Sequence, residues 1–374
     1  MKNWFFVPLA LFLVILSSGC TVPGLNIEIP FLPDIFGGMN VQEQRHDVIS
    51  IDSVQMIPSA TVRSGQSVHV RAVIKNLQSP EYPKVHVTIG LFNDCGLFGL
   101  DTGKVEGELC SGSTAKPTYN STTRMSECAM DMHPQSTALV EWKLTAQDVN
   151  VETQCKLGIL AKYNYTTYST TSVTFVNKAE LERIISEGKS FSETGTATIG
   201  EGPVKSYVEV LSQPLVIDPA ATGNKQNYGS GIMSFWIENK GSGILDINDS
   251  SSSNVVIAGA GGNCNNLPNK KICISISSTS SGNAETVRAI NSNGNSLLRI
   301  EDCIKEHLQN TGAAGPVTSI SFIGKSTPKY ACSITATDPS RVKEVLTQQI
   351  KSQVTYWYKF VSETPITVQP KIKL

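Results

Sequence analysis

Hydrophobic and polar residues alternate with a period of two along much of this chain, the spacing that puts one face of a strand in a core and the other in solvent. Val68-His-Val-Arg-Ala-Val-Ile74 and Val85-His-Val-Thr-Ile89 follow it, as does Leu139 to Leu144, where Val140, Trp142 and Leu144 share a face. From Asp47 to about Val176, short β-branched runs of this kind are separated by turn residues, which predicts an antiparallel sandwich. The period then changes. Lys178 to Glu187 sets Leu181, Ile184 and Ile185 on one side and ends at Gly188, a helix closed by a glycine C-cap. A Gly/Ser/Thr linker runs on to about Pro203, and a second β-rich segment takes the rest of the chain.

That second segment is an enlarged copy of the first. Val70-Arg-Ala-Val-Ile-Lys-Asn76 aligns with Met233-Ser-Phe-Trp-Ile-Glu-Asn239, each a strand ending at an Asn before a turn. Tyr163-Asn-Tyr165 aligns with Tyr356-Trp-Tyr358, and Val173-Thr-Phe175 with Ile366-Thr-Val368, so a closing hairpin of one length is expected in both copies. The interval from Asn to Tyr-x-Tyr is 87 residues in the first copy (76 to 163) and 117 in the second (239 to 356). Two amphipathic segments can hold the difference. Leu297 to Leu308 has apolar residues at 297, 300, 304 and 308, and Asp338-Pro339 opens a helix to about Lys351, with Asp as N-cap and Pro at the first helical position. The expected fold is therefore mainly β: one sandwich over 46–177, a helix and linker over 178–203, and a second sandwich with two helical insertions over 204–374.

At the N-terminus, Met1-Lys2-Asn3 is a small positive region and Trp4 to Leu16 an apolar run too short to span a bilayer as a mature helix. Ser17, Ser18 and Gly19 follow as a cleavage site requires, so residues 1–19 read as a signal peptide. The string Leu16-Ser-Ser-Gly-Cys20 resembles the lipobox of prokaryotic lipoproteins, with Ser17 where Leu is usual. The resemblance implies that Cys20 is lipidated and becomes the mature N-terminus. An ordinary signal peptide with a chance Cys and an uncleaved anchor are the alternatives, and all three place the rest of the chain outside the cytoplasm. Residues 20–45 hold three prolines and a Gly-Gly, an extended tether whose Ile27, Ile29, Phe31, Leu32, Ile35 and Phe36 are available to dock on the first sandwich.

Cysteine usage fits that compartment. Besides Cys20 there are Cys95, Cys110, Cys128 and Cys155, then Cys264, Cys273, Cys303 and Cys332, an even set split four and four, as expected of two disulfide-bonded domains. No pair has C-x-x-C spacing, which disfavours zinc ribbons and thioredoxin-like redox motifs. Closing the shortest loops would pair 95 with 110, 128 with 155, 264 with 273 and 303 with 332. Basic and acidic residues nearly balance, 31 against 32, so there is no field to steer nucleic acid. The run from Lys325 to Leu374 holds eight basic and three acidic residues, the pattern of a solvated strand face. Asn120, Asn164 and Asn248 head N-x-[ST] sequons.

Catalytic patterns are missing: there is no H-E-x-x-H, no G-x-S-x-G and no P-loop. Ser186-Glu-Gly-Lys189 and Ser326-Thr-Pro-Lys329 match S-x-x-K, but Gly188 and Pro328 interrupt the helix that would align Ser with Lys. Gly259-Ala-Gly-Gly262 leads into Cys264-Asn-Asn-Leu-Pro268 where a phosphate site needs a helix N-terminus. His69 and His86 are candidates to face each other across neighbouring strands and share a metal, and Asp94, Asp101 and Asp131 to bind calcium. Both are outweighed by ordinary surface roles, and no catalytic, cofactor-binding or metal-binding residue is assigned.

The strand ending in Asn239-Lys-Gly-Ser-Gly243, in a tandem array of sandwiches behind a lipobox, resembles the CARDB-type immunoglobulin-like domains of archaeal and bacterial surface proteins. The resemblance implies immunoglobulin-like sandwiches and a non-catalytic adhesion, spacer or assembly role on the outer face of the cell membrane, and it carries over no functional residues. The expected partners are the membrane, through the lipid, and another surface protein or envelope component, with no nucleic acid and no cofactor. The alternative is a ligand- or partner-binding lipoprotein with a groove on the second domain. One residue is singled out as a contact. If Asn164 points to solvent, Tyr163 and Tyr165 point inward, the aligned Tyr356 and Tyr358 are core, and Trp357 faces outward. Either the 339–351 helix packs over Trp357 through Val342, Val345 and Leu346, or Trp357 anchors a partner.

Overall fold

The computed structural model describes residues 41–43, 47–111, 113, 115–191, 197–218, 229–247, 255–257, 272–280, 298–300, 322–336 and 341–372, all within one compact unit, Met39–Leu374. The expected signal peptide, Cys20, Asn248 and the 259–262 glycine loop lie outside them. In chain order the strands are β1 (Val41–Glu43), β2 (Ile49–Ile57), β3 (Thr61–Arg63), β4 (Ser67–Asn76), β5 (Val85–Asn93), β6 (Glu106–Cys110), β7 (Thr118–Asn120), β8 (Met125–Met132), β9 (Thr137–Thr145) and β10 (Thr153–Asn177). The helix α1 (Lys178–Ser186) follows. Then come β11 (Ala197–Ile199), β12 (Val204–Val210), β13 (Leu215–Ile217), β14 (Ser230–Asn239), β15 (Ile244–Leu245), β16 (Val255–Ile257), β17 (Ile272–Ser280), β18 (Leu298–Ile300), β19 (Tyr330–Ala336) and β20 (Val345–Gln369).

Local pattern explains most of these elements. In β4 every second side chain, Val68, Val70, Ala72 and Ile74, is buried, and β9 does the same with Val140, Trp142 and Leu144. In α1 the Asn177 side chain accepts the Ala179 N–H at 3.0 Å, and Gly188 just beyond the helix takes φ +71°, which costs a glycine nothing. The last tether residues, Val41–Glu43, pair in parallel with β11.

Among the described residues the strands form two four-stranded sheets, β2-β4-β9-β6 and β12-β14-β19-β18, and one long sheet ordered β16-β17-β20-β10-β5-β8-β7. The two small sheets repeat one another. The aligned β4 and β14 are second in order, each pairing with a strand before it and one well after it, and each ends at a buried Asn whose side-chain oxygen accepts the N–H two residues on.

The expected closing hairpins do not form. β10 and β20 each run 25 residues without a break and pair antiparallel from Thr153↔Val368 to Val176↔Val345. The stretch Thr166-Thr-Tyr-Ser-Thr-Thr-Ser172 has none of the Gly, Pro or Asn that a turn needs, and its β-branched residues favour continued extension. The consequence is an exchange. The N-terminal half of β10 pairs with β5, whereas its C-terminal half pairs with β11, inside the expected linker, and with β13 beyond it. Likewise β20 pairs with β17 in its N-terminal half and reaches back to the parallel strand β3 at its end. Thr171 donates to the Val208 carbonyl at 2.8 Å, and the Gln369 carbonyl accepts the Ser64 N–H at 2.8 Å, so each half is completed by a strand end belonging to the other.

The helix expected from Asp338 to about Lys351 is corrected as well, because Val345 onward is strand. Gln348, Ile350, Ser352 and Val354 alternate inward, and the period-two pairing with β10 outweighs the helical spacing of Val342, Val345 and Leu346. Residues 337–340, which include Asp338-Pro339, lie outside the described set. Of the other expected helix, Leu298–Ile300 is the strand β18, and the remainder lies outside the described residues.

The cysteine pairing differs from the shortest-loop expectation: Cys95 bonds Cys155 and Cys110 bonds Cys128. Loop closure grows only logarithmically with length, so sheet neighbourhood decides instead. Cys95 follows β5 and Cys155 opens its partner β10, while Cys110 and Cys128 tie the sheet holding β6 to the sheet holding β8. Cys332 is also disulfide-bonded, and the side chains of Cys264, Cys273 and Cys303 lie outside the described set.

Two reciprocal carboxylate–serine contacts hold the halves together. Asp47, just before β2, accepts the Ser242 N–H (3.2 Å) and hydroxyl (2.9 Å), and Ser242 lies three residues after Asn239. Glu201, just before β12, accepts the Ser79 N–H (2.9 Å) and hydroxyl, and Ser79 lies three residues after Asn76.

Candidate functional site

The centre of the molecule is the crossing of β10 and β20, and their two faces are chemically opposite. Inward, Tyr163 lies opposite Tyr358 and Tyr165 opposite Tyr356, all four buried, as the aligned Tyr-x-Tyr motifs predict. The rings of Tyr163 and Tyr358 sit 5.7 Å apart and those of Tyr165 and Tyr356 6.3 Å apart. Burial pushes all four phenols above their ordinary range. Gln78 donates to the Tyr165 hydroxyl and Tyr358 donates to Asn239, both at 3.0 Å, and Tyr356 meets Thr167 at 2.8 Å. The Tyr163 hydroxyl closes no well-aligned hydrogen bond.

Outward, the same strands present Lys162, Asn164, Thr166 and Tyr168 from β10, facing Lys359, Trp357, Thr355 and Gln353 from β20. Two lysines directly opposite would repel. Asp246 resolves the conflict: it follows β15 on the edge of β20, donates its N–H to the Trp357 carbonyl (2.8 Å) and receives Lys162 at 2.7 Å and Lys359 at 2.6 Å. Its side chain is 4% exposed. Burial alone would raise the Asp246 carboxyl, but the two ammonium groups outweigh it and hold the group below the usual carboxylate range. Lys162 also lies 5.0 Å from the Trp357 ring centre, Lys351 sits 4.6 Å over Tyr168, and the Thr166 and Thr355 hydroxyls meet at 2.8 Å. Trp357 thus faces outward as expected, half-buried against Lys162 rather than beneath the expected helix, whose last turns are strand. Among the described residues this face offers aromatic rings, amides, hydroxyls and cations, and no nucleophile paired with a base.

The remaining candidates go to structural contacts. Asp94 is buried and accepts the N–H groups of Gly96, Phe98 and Leu100 at 2.7–3.1 Å, which folds the loop after β5. Asp131 is on the surface, held below the usual carboxylate range by Lys84 and then His86. His69 and His86 do not face each other, because β4 and β5 belong to different sheets; His69 instead meets Glu141 at 3.0 Å. Among the described residues no three His, Cys, Asp or Glu side chains gather as a metal site would require. The Ser186 hydroxyl donates to the Arg183 carbonyl and that of Ser326 to backbone carbonyls of Ile237 and Thr327. Asn120 on β7 donates to Glu127 and accepts the Thr122 N–H.

Sequence reasoning missed Asp246, Asp47 and Glu201. For the last two a signal existed, since each aligned Asn is followed three residues later by a serine, Ser79 or Ser242. Nothing local marks Asp246, which acts only once β15 lies beside β20.

No family model matches the chain, and no curated protein is similar to it in sequence. Among solved structures, it is compared with a Salmonella alpha-2-macroglobulin carrying the Y1175G mutation, at 9% identity and a TM-score of 0.15, a match covering 85% of this chain and 16% of that one.

Proposed function

We propose that this protein is a non-catalytic cell-surface lipoprotein, anchored through Cys20, that serves as a rigid adhesion, spacer or assembly module. On this reading it consists of two immunoglobulin-like sandwiches in tandem that exchange their last strands, so that two weakly coupled modules become one stiff body. The observation that carries the proposal is the uninterrupted β10–β20 pairing, with the Asp47–Ser242 and Glu201–Ser79 contacts on either side of it. A spacer that must transmit position benefits from having no flexible hinge between its halves. The alternative of a ligand groove at inserted helices loses support over residues 345–351, which are strand.

Anchoring is the part to test first, since diacylation supplies the two chains that stable attachment needs. In a native-like host the mature protein should incorporate labelled fatty acid and partition with membranes, and Cys20→Ser should abolish both. Unchanged labelling of the Cys20→Ser variant would refute the anchor.

A further inference from the structure

We propose that Asn164 carries an N-linked sugar and that the first sugar ring packs beside Trp357. The inference rests on the surface reading above, because sugar transfer of this kind takes place outside the cytoplasm.

Three observations lead to it. Asn164-Tyr165-Thr166 is a sequon, and the inward burial of Tyr165 forces Asn164 onto the outer face, where it is half-exposed. Among the described residues its carboxamide makes no hydrogen bond, whereas Asn120, the other described sequon, has its amide nitrogen committed to Glu127 and its oxygen to Thr122. The third is the cross-strand partner. Asn164 pairs with Trp357 on the same face, and residues so paired have Cβ atoms about 5 Å apart. A pyranose linked to Asn164 therefore starts within reach of the indole, and the C–H-bearing face of such a ring packs well on an aromatic surface. Lys162, two residues earlier on the same face and 5.0 Å from the indole centre, adds a donor for the sugar hydroxyls.

The covalent step balances with one co-reactant, a lipid-phosphate-linked sugar, and an envelope transferase. The Asn164 Nδ2 forms a bond to the anomeric carbon and loses a proton. The bond from that carbon to the phosphate oxygen breaks, and the lipid phosphate leaves.

The test is intact-peptide mass spectrometry of the full-length protein isolated from its native membrane, with thermal melts of the same preparations. A sugar mass is expected on the peptide bearing Asn164, none on that bearing Asn120, and none anywhere on the 164 peptide in Asn164→Gln or Thr166→Val. Asn164→Gln should lower Tm by about 2 °C, the size of a sub-kcal/mol contact in a chain this long. In a Trp357→Ala background, where the sugar stays on, removing it should shift Tm no further. A bare Asn164 overturns the inference, and an unaltered Tm difference in Trp357→Ala overturns the packing on Trp357. The same digest reports acylation of Cys20: a bare Asn164 beside an acylated Cys20 sinks this inference alone, and both bare sink the surface reading with it.

Discussion

In the half of the molecule built around β4, the inner-face position opposite Val70 holds Trp142; in the half around β14, the position opposite the aligned Met233 holds Cys332. Trp142 is fully buried and donates its indole N–H to the Ser126 carbonyl of the facing sheet at 3.1 Å, close to where Cys110–Cys128 joins the same two sheets. The second half buries Phe235 and Tyr330 at another pair of the same two strands and places further aromatics outside. Tyr207 and Trp236 stack at 4.9 Å on the outer side of their sheet, with Lys329 4.2 Å from the Trp236 ring. One strand framework, with the same terminal Asn and the same Tyr-x-Tyr, is thus filled by an aromatic across the sheets in one copy and by a disulfide cysteine in the other. Register and turns define the repeat, and the filling of each slot varies as long as the volume is occupied.

The comparison breaks most severely if the two halves can be separated. A chain ending at residue 190 lacks the end of β20, and with it Tyr358, Ile366 and Val368, all buried. At about 1.5–3 kcal/mol for each such side chain, the loss rivals the ~5–15 kcal/mol that holds a domain together. The fragment 46–190 should therefore lack cooperative unfolding by circular dichroism and regain it on mixing with 191–374. A folded, monomeric 46–190 would mean that the exchange is dispensable.

A smaller effect sharpens the contrast between the inner and outer aromatics. Trp142→Ala should cost about 3–5 kcal/mol, as emptying a large buried site does. Trp236→Ala should cost about 1 kcal/mol, the size of a surface aromatic pair with a cation beside it. Equal losses in denaturant titrations would show that the outer stack carries as much of the second half as Trp142 does of the first.

A third contrast, smaller than the loss of Trp142, concerns the reciprocal contacts. Glu201 is buried and bonds Ser79 twice, so Glu201→Ala should cost about 1.5–3 kcal/mol. Asp47 makes the matching bonds to Ser242 at a more exposed position, and Asp47→Ala should cost about 0.5–1 kcal/mol. If the order reversed, burial would not be what separates the two contacts.

Much of the framework was readable from residues alone. The period-two runs became β4, β5 and β9, the helix after Asn177 formed with its glycine end, and the aligned Tyr-x-Tyr motifs placed four tyrosines in the core and Trp357 outside it. These signals are local, because a strand's facing pattern and a helix cap depend on neighbours within a few residues. The hairpins misled because a shared length was read as a turn, although Thr166 to Ser172 holds no Gly, Pro, Asn or Asp; the matching stretch of the second copy does hold Pro365, yet it too continues as strand. The 339–351 helix misled because Val342, Val345 and Leu346 have a helical spacing, whereas the alternation of Gln348, Ile350, Ser352 and Val354 and the pairing with β10 make the chain from Val345 onward a strand.

What the sequence determined by itself, then, is the alternation that makes the chain β, the repeat, and the inward or outward sense of each residue in it. Which strand ends meet was decided by tertiary structure alone, because backbone hydrogen bonds between strands are alike wherever they form and carry no address. The pairing of Cys95 with Cys155 follows from β5 lying beside β10, and the seat of Asp246 between Lys162 and Lys359 and the completion of each half by the other follow from β10 and β20 lying side by side. Residues about two hundred positions apart meet there because β10 and β20 pair along almost their whole length.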